Sequence, residues 1–239
     1  MALYDHITAC NDFDLTGKRE FHVDDVHVGW LSDDLAERMH RWTEFFDITK
    51  DAVALRDGLK DVEARSKALA ESGAALVVQQ ALPRNRKELC PVMEHLGGTN
   101  LLRIDRAWLE SFGVKSYGVH INGYVDTPDG PELWVGVRAK DRQVAPGKLD
   151  NMVAGGLPVG LTIEENLIKE AAEEASVPEE LARAATPTGV ISYMFNTDRG
   201  IRRDMLFVYD LKLPDDFEPV NDDGEVSGFV RWPARQALR

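Results

Sequence analysis

The sequence predicts an α/β fold in two domains, and three observations support this. The chain has 239 residues, enough for two small domains that each bury a core. Segments with the two-residue alternation of strands are interspersed with segments that begin at helix-capping residues. The pattern changes near residue 115, where short paired strands begin. We therefore expect a smaller N-terminal α/β domain over 1–113 and a second α/β domain over 114–239.

The N-terminal part is predicted to mix strands and helices. Residues 19–30 alternate as one strand, with a bulge at Asp24 and Asp25. Ser32 is a candidate N-cap for a helix that continues to about Phe46. The other predicted elements are a helix over 61–71 that ends before Gly73, a strand over 74–80, an exposed basic turn over 83–87, and a helix over 104–112 closed by Gly113.

The C-terminal part is predicted to contain strands around one long helix. Thr162 and Glu165 form a capping box that fixes the start of this helix after a glycine turn at Gly155 and Gly156. The chain stops two turns into a helix that Pro233 opens, so we expect that a longer C-terminal part is missing. The predicted strands are 117–125, 133–138, 149–154, 190–195, 205–211 and 226–232, with turns at 127–130 and 222–224.

Composition restricts the classes of partner. The formal net charge of -13 argues against nucleic acid or an anionic membrane surface as the main partner. No apolar run is long enough to span a membrane, and no secretory signal is expected at the N-terminus. Cys10 and Cys90 offer neither a disulfide framework nor metal-ligand spacing, which favours a reducing, cytoplasmic setting.

Three glutamates on the long helix form the most informative motif. Glu170, Glu173 and Glu174 are three and four residues apart, so they share one helical face. Three like charges repel one another, and a divalent cation between them would relieve that repulsion. Mg²⁺ or Mn²⁺ fits best, because hard cations prefer carboxylate oxygens. The alternative is a solvated helix face, which such a triplet often is when it stands alone.

The segment from Gly155 to Val177 resembles the Nudix hydrolase (MutT-like) signature. Glu170, Glu173 and Glu174 match the three carboxylates of that signature at its spacing, and Val177 matches its last apolar position. The segment departs from the signature in four ways: the loop after Gly156 is one residue shorter, Leu161 replaces the first Glu, Lys169 replaces the Arg, and Ser176 replaces the closing Gly. The resemblance implies a C-terminal Nudix fold, which is a mixed sheet in an α/β/α sandwich.

Flanking segments resemble one Nudix subfamily, the one related to thiamine pyrophosphokinase. They are 117–124, 150–156 and 222–226, with Ser192-Tyr193 and Tyr209–Leu211 in addition. The resemblance implies hydrolysis of thiamine diphosphate and its oxidised analogues to monophosphate plus phosphate. Two alternatives stay open: a general nucleoside-diphosphate hydrolase acting on compounds such as ADP-ribose, and a non-catalytic module that binds a nucleotide or thiamine compound.

The resemblance also implies roles for individual residues. Glu170 and Glu174 would hold Mg²⁺ or Mn²⁺, and Glu173 would complete the metal site or accept a proton. Lys169 would orient a neighbouring glutamate, with a looser contact than the Arg of the family gives.

A further carboxylate is expected from a distant loop. Glu225 is the first candidate, and Asp222 and Asp223 are weaker ones. Gly155 and Gly156 would let the backbone approach a bound substrate. Tyr193 would stack on the ring of a small-molecule diphosphate, although packing within a sheet explains it equally well. A homodimer is left open.

Overall fold

The computed structural model of the protein describes residues 3–141, 146–221, 224 and 226–237. The helices are α1 Leu3–Ala9, α2 Asp33–Met39, α3 Val62–Val78, α4 Ile163–Ala175, α5 Glu179–Ala182 and α6 Ala234–Ala237. The strands are β1 Lys18–Val23, β2 Val26–Ser32, β3 Phe46–Ile48, β4 Ala52–Leu55, β5 Leu89–Met93, β6 Asn100–Asp105, β7 Ser116–Thr127, β8 Gly130–Arg138, β9 Leu149–Asp150, β10 Val153–Gly156, β11 Thr186–Thr197, β12 Gly200–Lys212 and β13 Val226–Pro233.

The chain divides into two compact units. The first contains residues 1–116 together with 192–205, and the second contains 117–191 and 206–239. Each unit combines sheet and helix, so the predicted α/β fold class is confirmed. The predicted domain boundary between 113 and 114 stays a prediction.

The first unit is built on a four-stranded sheet in the order β2-β1-β4-β3. Strand β1 pairs antiparallel with β2 and parallel with β4, so this sheet is mixed. A separate antiparallel pair, β5 and β6, packs against α3. The core of the unit includes the fully buried side chains of Phe21, Leu31, Phe46, Leu69 and Phe112.

The second unit positions the glutamate helix against a sheet. The sheet has the order β11-β12-β7-β8-β13, with β10 paired to β7 and β9 paired to β8. Helix α4 packs on β10, the antiparallel partner of the central strand β7. Leu167, Ala171 and Ala175 of α4 are buried in a core with Ile121 and Val153.

Two sequence predictions for the first unit are wrong because a turn intervenes. Residues 19–30 form a hairpin, not one bulged strand: Asp24 has φ +53° and turns the chain between β1 and β2. Arg65 of α3 holds this turn with N–O distances of 2.7 and 2.8 Å to the Asp24 carboxylate. The helix after Ser32 is also shorter than predicted, because α2 ends at Met39 and Phe46 lies in β3.

Two further predictions failed around α3 and β6. Residues 74–78, predicted as strand, continue α3, which does not stop at Gly73. Residues 104–112 are not a helix: β6 continues to Asp105 and is followed by a 3₁₀ turn over Arg106–Trp108. The Asp105 carboxylate caps this turn by accepting from the Ala107 N–H at 2.9 Å.

Candidate functional site

Helix α4 is fixed at both ends. At its start, the Thr162 hydroxyl accepts from the Glu165 N–H at 3.2 Å, and the Glu165 carboxylate accepts from the Thr162 N–H at 2.8 Å. The predicted capping box is therefore confirmed. At its end, Ser176 adopts a left-handed conformation with φ +52°, and its hydroxyl donates to the Val220 carbonyl at 2.9 Å. These contacts set the rotation of α4 and hence the direction of its glutamates.

Gly155 and Gly156 lie in strand β10, not in a turn as predicted. They pair with Val119 and Gly118 of β7. The physical reason for glycine at 155 is the side chain of Glu170: a Cβ on Gly155 would lie 2.5 Å from Oε2 of Glu170 and closer still to Cγ and Cδ. The side chain of Glu170 is only 12% exposed. The bare backbone of Gly155 thus makes room for a nearly buried carboxylate.

Glu174 lies one turn further along α4 and also faces β10. Its Oε2 accepts a hydrogen bond from the Ala154 N–H at 2.7 Å. Glu174 lines a small cleft together with Ala154, Arg138, Asp150 and Asn221. Glu170 and Glu174, one helical turn apart, therefore contact the neighbouring residues Gly155 and Ala154 of β10.

Lys169 contacts the other side of the cluster. Its Nζ lies 3.1 Å from Oε1 of Glu170 and 2.6 Å from Oε2 of Glu173. Partial burial lowers the pKa of Lys169, but the hydrogen bonds that it donates to Glu173 and Glu170 outweigh this effect and raise the pKa above its ordinary value. Lys169 therefore stays charged and bridges the two carboxylates through one point charge.

Glu173 differs from the other two glutamates in direction. Its side chain is 54% exposed and is held by Lys169, four residues earlier on the helix. The three glutamates therefore lie in two environments: Glu170 and Glu174 face β10, while Glu173 faces solvent.

The donor set suits a hard divalent cation, because all three candidate ligands are carboxylates. Within the described parts of the chain, however, no three His, Cys, Asp or Glu side chains converge closely enough to hold a metal ion. Glu170 and Glu174 are the pair that could hold one, since both carboxylates lie at the same strand. Any further ligand has to come from another segment.

The predicted loop ligand Glu225 lies outside the described residues, as do Asp222 and Asp223. The residues beside them do border the cleft of Glu174, which is lined by Asn221 and Val226. The Asn221 side-chain amide donates to the Glu174 backbone carbonyl at 3.4 Å and accepts from the Gly224 N–H at 2.7 Å.

Tyr193, predicted to bind substrate, belongs to the first unit. Its hydroxyl donates to Oδ2 of Asp204 at 2.7 Å, and its ring centroid lies 5.8 Å from that of Phe195. Burial and the neighbouring Asp204 carboxylate raise the pKa of Tyr193. The phenol is therefore neutral at physiological pH, with its ring held in place.

Sequence analysis missed the polar side chains around Glu174. Arg138, at the end of β8, forms an ion pair with Asp150 at 2.8 Å. Asn151 donates to Asn122 at 2.6 Å, and Asn122 donates to Asp210 at 2.9 Å. In the sequence, the Asp150-Asn151 pair just before β10 was the one visible sign of these contacts. Their partners lie on other strands, so the local pattern does not reveal them.

No helix in the described part of the chain is both long and apolar enough to cross a membrane.

Comparisons with known proteins cover both parts of the chain. A family model described as a domain of unknown function (DUF4743) matches residues 2–116. The chain is 38% identical over 218 residues to Nudix hydrolase 24, chloroplastic, of Arabidopsis thaliana, and 35% identical over 225 residues to Nudix hydrolase 20, chloroplastic, of the same plant. Each match covers 90% of this chain and 60% of the relative.

Among solved structures, DR0079 from Deinococcus radiodurans is similar with a TM-score of 0.44 and 22% identity, over 63% of this chain and 89% of that one. The chain spans about 60% of the length of the two plant relatives. The chain is thus similar to proteins named Nudix hydrolases over nine-tenths of its own length.

Proposed function

We propose that the protein hydrolyses the diphosphate of a small organic substrate with Mg²⁺ or Mn²⁺. The arrangement of Glu170 and Glu174 carries this proposal. Both carboxylates lie one helical turn apart against β10, one fitted to the bare backbone of Gly155 and the other bonded to the Ala154 N–H. Carboxylate oxygens are the ligands that hard divalent cations prefer, so this pair offers oxygens for Mg²⁺ or Mn²⁺.

Each residue of the cluster has a role in this proposal. A bound divalent ion would neutralise diphosphate charge and acidify a water molecule. Glu170 and Glu174 present the oxygens that hold it, and their orientation is set by Gly155, Ala154 and Lys169. Glu173, exposed and free to reorient when its contact with Lys169 breaks, is suited to accept a proton from water.

Thiamine diphosphate and its oxidised analogues are the favoured substrates, yielding monophosphate plus phosphate. The support is the resemblance of residues 117–124 and 150–156 to the thiamine pyrophosphokinase-related subfamily. A general nucleoside-diphosphate hydrolase is the main alternative. Measuring release of inorganic phosphate and of AMP over a panel of thiamine diphosphate, oxythiamine diphosphate, ADP and ADP-ribose separates the two. Preferred AMP release from ADP-ribose would reject the thiamine assignment.

The test of the site itself is Glu174→Gln. The amide keeps an oxygen for the Ala154 N–H and loses the charge, so the fold is retained while turnover falls by about 10²-fold or more. Glu180→Gln on α5 is the matched control, because it removes one exposed charge from the same unit. An equal rate in Glu174→Gln and wild type would show that the ligand assignment is wrong. Absence of turnover on every diphosphate would favour the non-catalytic binding module.

Glu225 is proposed as the additional carboxylate, since its neighbour Val226 lines the cleft of Glu174. Glu225→Gln should then weaken activation by Mn²⁺, which raises the metal concentration needed for half-maximal rate. An unchanged metal dependence would remove Glu225 from the site.

The proposed setting is a reducing cytoplasm without nucleic-acid or membrane partners. The net charge of -13 and two free cysteines support this, with Cys10 exposed and Cys90 buried. Fractionation of cells that express the tagged full-length protein tests it, and recovery in an organelle would contradict it.

A homodimer is proposed as the assembly, and sedimentation of the purified protein measures its mass.

A further inference from the structure

The first unit carries a basic loop, residues 83–87, that the proposed hydrolase function does not use. The loop connects α3 to β5, and its cations Arg84, Arg86 and Lys87 are all exposed. No carboxylate of the described residues lies within 4.0 Å of the side-chain nitrogens of these three cations. In a protein with a net charge of -13, three neighbouring cations without an ion pair call for a specific explanation.

Other arginines of the same unit show the contrast. The guanidinium of Arg103 lies 3.1 Å from the Glu63 carboxylate, and the guanidinium of Arg106 lies 3.0 Å from the Glu88 carboxylate. The acidic side chains of the unit thus provide ion-pair partners for arginines outside the basic loop. They leave the charges of the basic loop available to another molecule.

Two buried side chains hold the backbone of the basic loop. The Asp105 carboxylate accepts from the Arg86 N–H at 3.0 Å and from the Lys87 N–H at 2.9 Å. Closer to α3, the ring N–H of Trp108 donates to the Pro83 carbonyl at 2.9 Å. These bonds use backbone groups of the loop, so its charged side chains take no part in them. A loop that is already ordered loses less conformational entropy when it binds a partner.

The carboxylates that adjoin the basic loop do not cancel its charge. Asp105 is buried and its oxygens accept from backbone N–H groups, including that of Ala107 at 2.9 Å. Glu88, the residue after the loop, is paired with Arg106. Three exposed cations against one buried carboxylate leave the surface of the loop positive.

An exposed apolar side chain adjoins the basic loop. Leu89 lies two residues after Lys87 and is 45% exposed. It is the partner of Asp105 in the ladder between β5 and β6, and Asp105 also holds the loop. This register places Leu89 beside the loop. Cations next to an exposed leucine match a peptide that carries both carboxylates and an apolar side chain.

We propose that the basic loop and Leu89 bind an acidic segment of a partner protein, in which glutamates or aspartates flank an apolar residue. Its carboxylates pair with the loop cations, for which the guanidinium groups of Arg84 and Arg86 offer two-pronged contacts. A short acidic segment fits better than nucleic acid or an anionic membrane, because an extended polyanion would reach beyond the loop and meet the rest of an acidic protein. No residue of α4 takes part, so this site does not depend on the proposed hydrolase function.

Fluorescence anisotropy tests the proposal with a fluorescein-labelled peptide that alternates pairs of glutamates with single leucines. The same peptide with glutamine in place of glutamate is the uncharged control. The acidic peptide should bind the wild-type protein, more weakly as the salt concentration rises, and the glutamine peptide should not bind. Removing the three loop cations should weaken binding about tenfold or more, because three exposed ion pairs are lost. That variant combines Arg84→Gln, Arg86→Gln and Lys87→Gln.

The matched control removes three exposed cations from other positions of the first unit. It combines Lys50→Gln, Lys60→Gln and Lys67→Gln, which change the net charge by the same amount. This control should bind the acidic peptide like wild type, and both triple variants should keep the wild-type melting temperature because every substituted side chain is exposed. Leu89→Ser should weaken binding about threefold, since part of an apolar contact is lost.

Three outcomes would overturn the proposal. The first is no binding of the acidic peptide by the wild type at millimolar concentration, and the second is an equal loss in the two triple variants. The third is that a duplex RNA or phosphatidylserine vesicles bind more tightly than the peptide and lose this binding in the loop variant. That result would make nucleic acid or a membrane the partner of the basic loop.

Discussion

Gly73 in the first unit and Gly155 in the second each leave space for one neighbouring side chain. In the first unit the space serves the packing of the core, and in the second it serves the position of a carboxylate. In the first unit, a Cβ on Gly73 of α3 would lie 3.1 Å from Cε3 of the Trp108 ring and closer to two further ring atoms. In the second unit, a Cβ on Gly155 would meet the carboxylate arm of Glu170. One glycine accommodates an indole and the other a charge.

The two neighbours differ in how far they can move. Trp108 is 3% exposed and its ring N–H donates to the Pro83 carbonyl at 2.9 Å, so it cannot yield without disturbing the core. Glu170 is a flexible side chain that can rotate away at small cost. Gly73 is therefore required for stability, whereas Gly155 is required for the direction of a carboxylate.

The largest expected effect is on activity, from Gly155→Ala. The new methyl group displaces the Glu170 carboxylate, and a displacement of about 1 Å at a catalytic group can cost about 10²-fold in rate. Stability should change little, because Glu170 can rotate. Phosphate release and the melting temperature measure the two quantities. A fully active Gly155→Ala would show that the position of Glu170 does not limit turnover.

A smaller effect, on stability alone, is expected from Gly73→Ala. Overpacking against Trp108 costs about 1–3 kcal/mol, and the better helix propensity of Ala returns up to about 1 kcal/mol. We expect a net loss of about 1–2 kcal/mol in urea unfolding followed by tryptophan fluorescence. The rate of the folded enzyme should equal that of wild type. Unchanged stability would mean that the Trp108 ring is mobile.

The labelling rate of Cys90 measures how often the first unit opens, so it distinguishes Gly73→Ala from Gly155→Ala. Cys90 is buried in its core, and burial raises the pKa of the Cys90 thiol to about 12. At pH 8 about one Cys90 in ten thousand is thiolate, so it should react only when the unit opens, while exposed Cys10 reacts freely. Gly73→Ala should raise the Cys90 labelling rate roughly tenfold, and Gly155→Ala should leave it unchanged. Equal acceleration in both variants would contradict the separation of roles.

Local signals made the second unit the more predictable one. The capping box at Thr162 and the turn between β7 and β8 are specified by residues three or four apart. The spacing of Glu170 and Glu174 likewise placed them on one face. The direction of Glu173 could not be predicted, because it depends on which carboxylates Lys169 contacts.

Long-range contacts account for the failures in the first unit. The turn at Asp24 depends on Arg65, 41 residues later, and the continuation of α3 through Gly73 depends on Trp108. Neither partner is visible from the local pattern, where two acidic residues indicate a bulge and a glycine indicates a helix end. For the same reason the Arg138–Asp150 pair beside Glu174 was missed.

The smallest expected effect concerns Ser176, which stands where the resemblance predicts a glycine. Its φ of +52° costs a non-glycine residue about 1–2 kcal/mol, and the hydrogen bond of its hydroxyl to Val220 returns about 0.5–1.5 kcal/mol. Ser176→Ala loses the bond and keeps the strain, so we expect a loss of about 1 kcal/mol in urea unfolding. Ser176→Gly loses the bond but relieves the strain, at an entropic cost of about 0.4–1 kcal/mol in the unfolded chain, and should fall between Ser176→Ala and wild type. If both variants are equally unstable, the strain relieved at 176 is no larger than the entropic cost of glycine, and the hydrogen bond to Val220 then accounts for the advantage of serine.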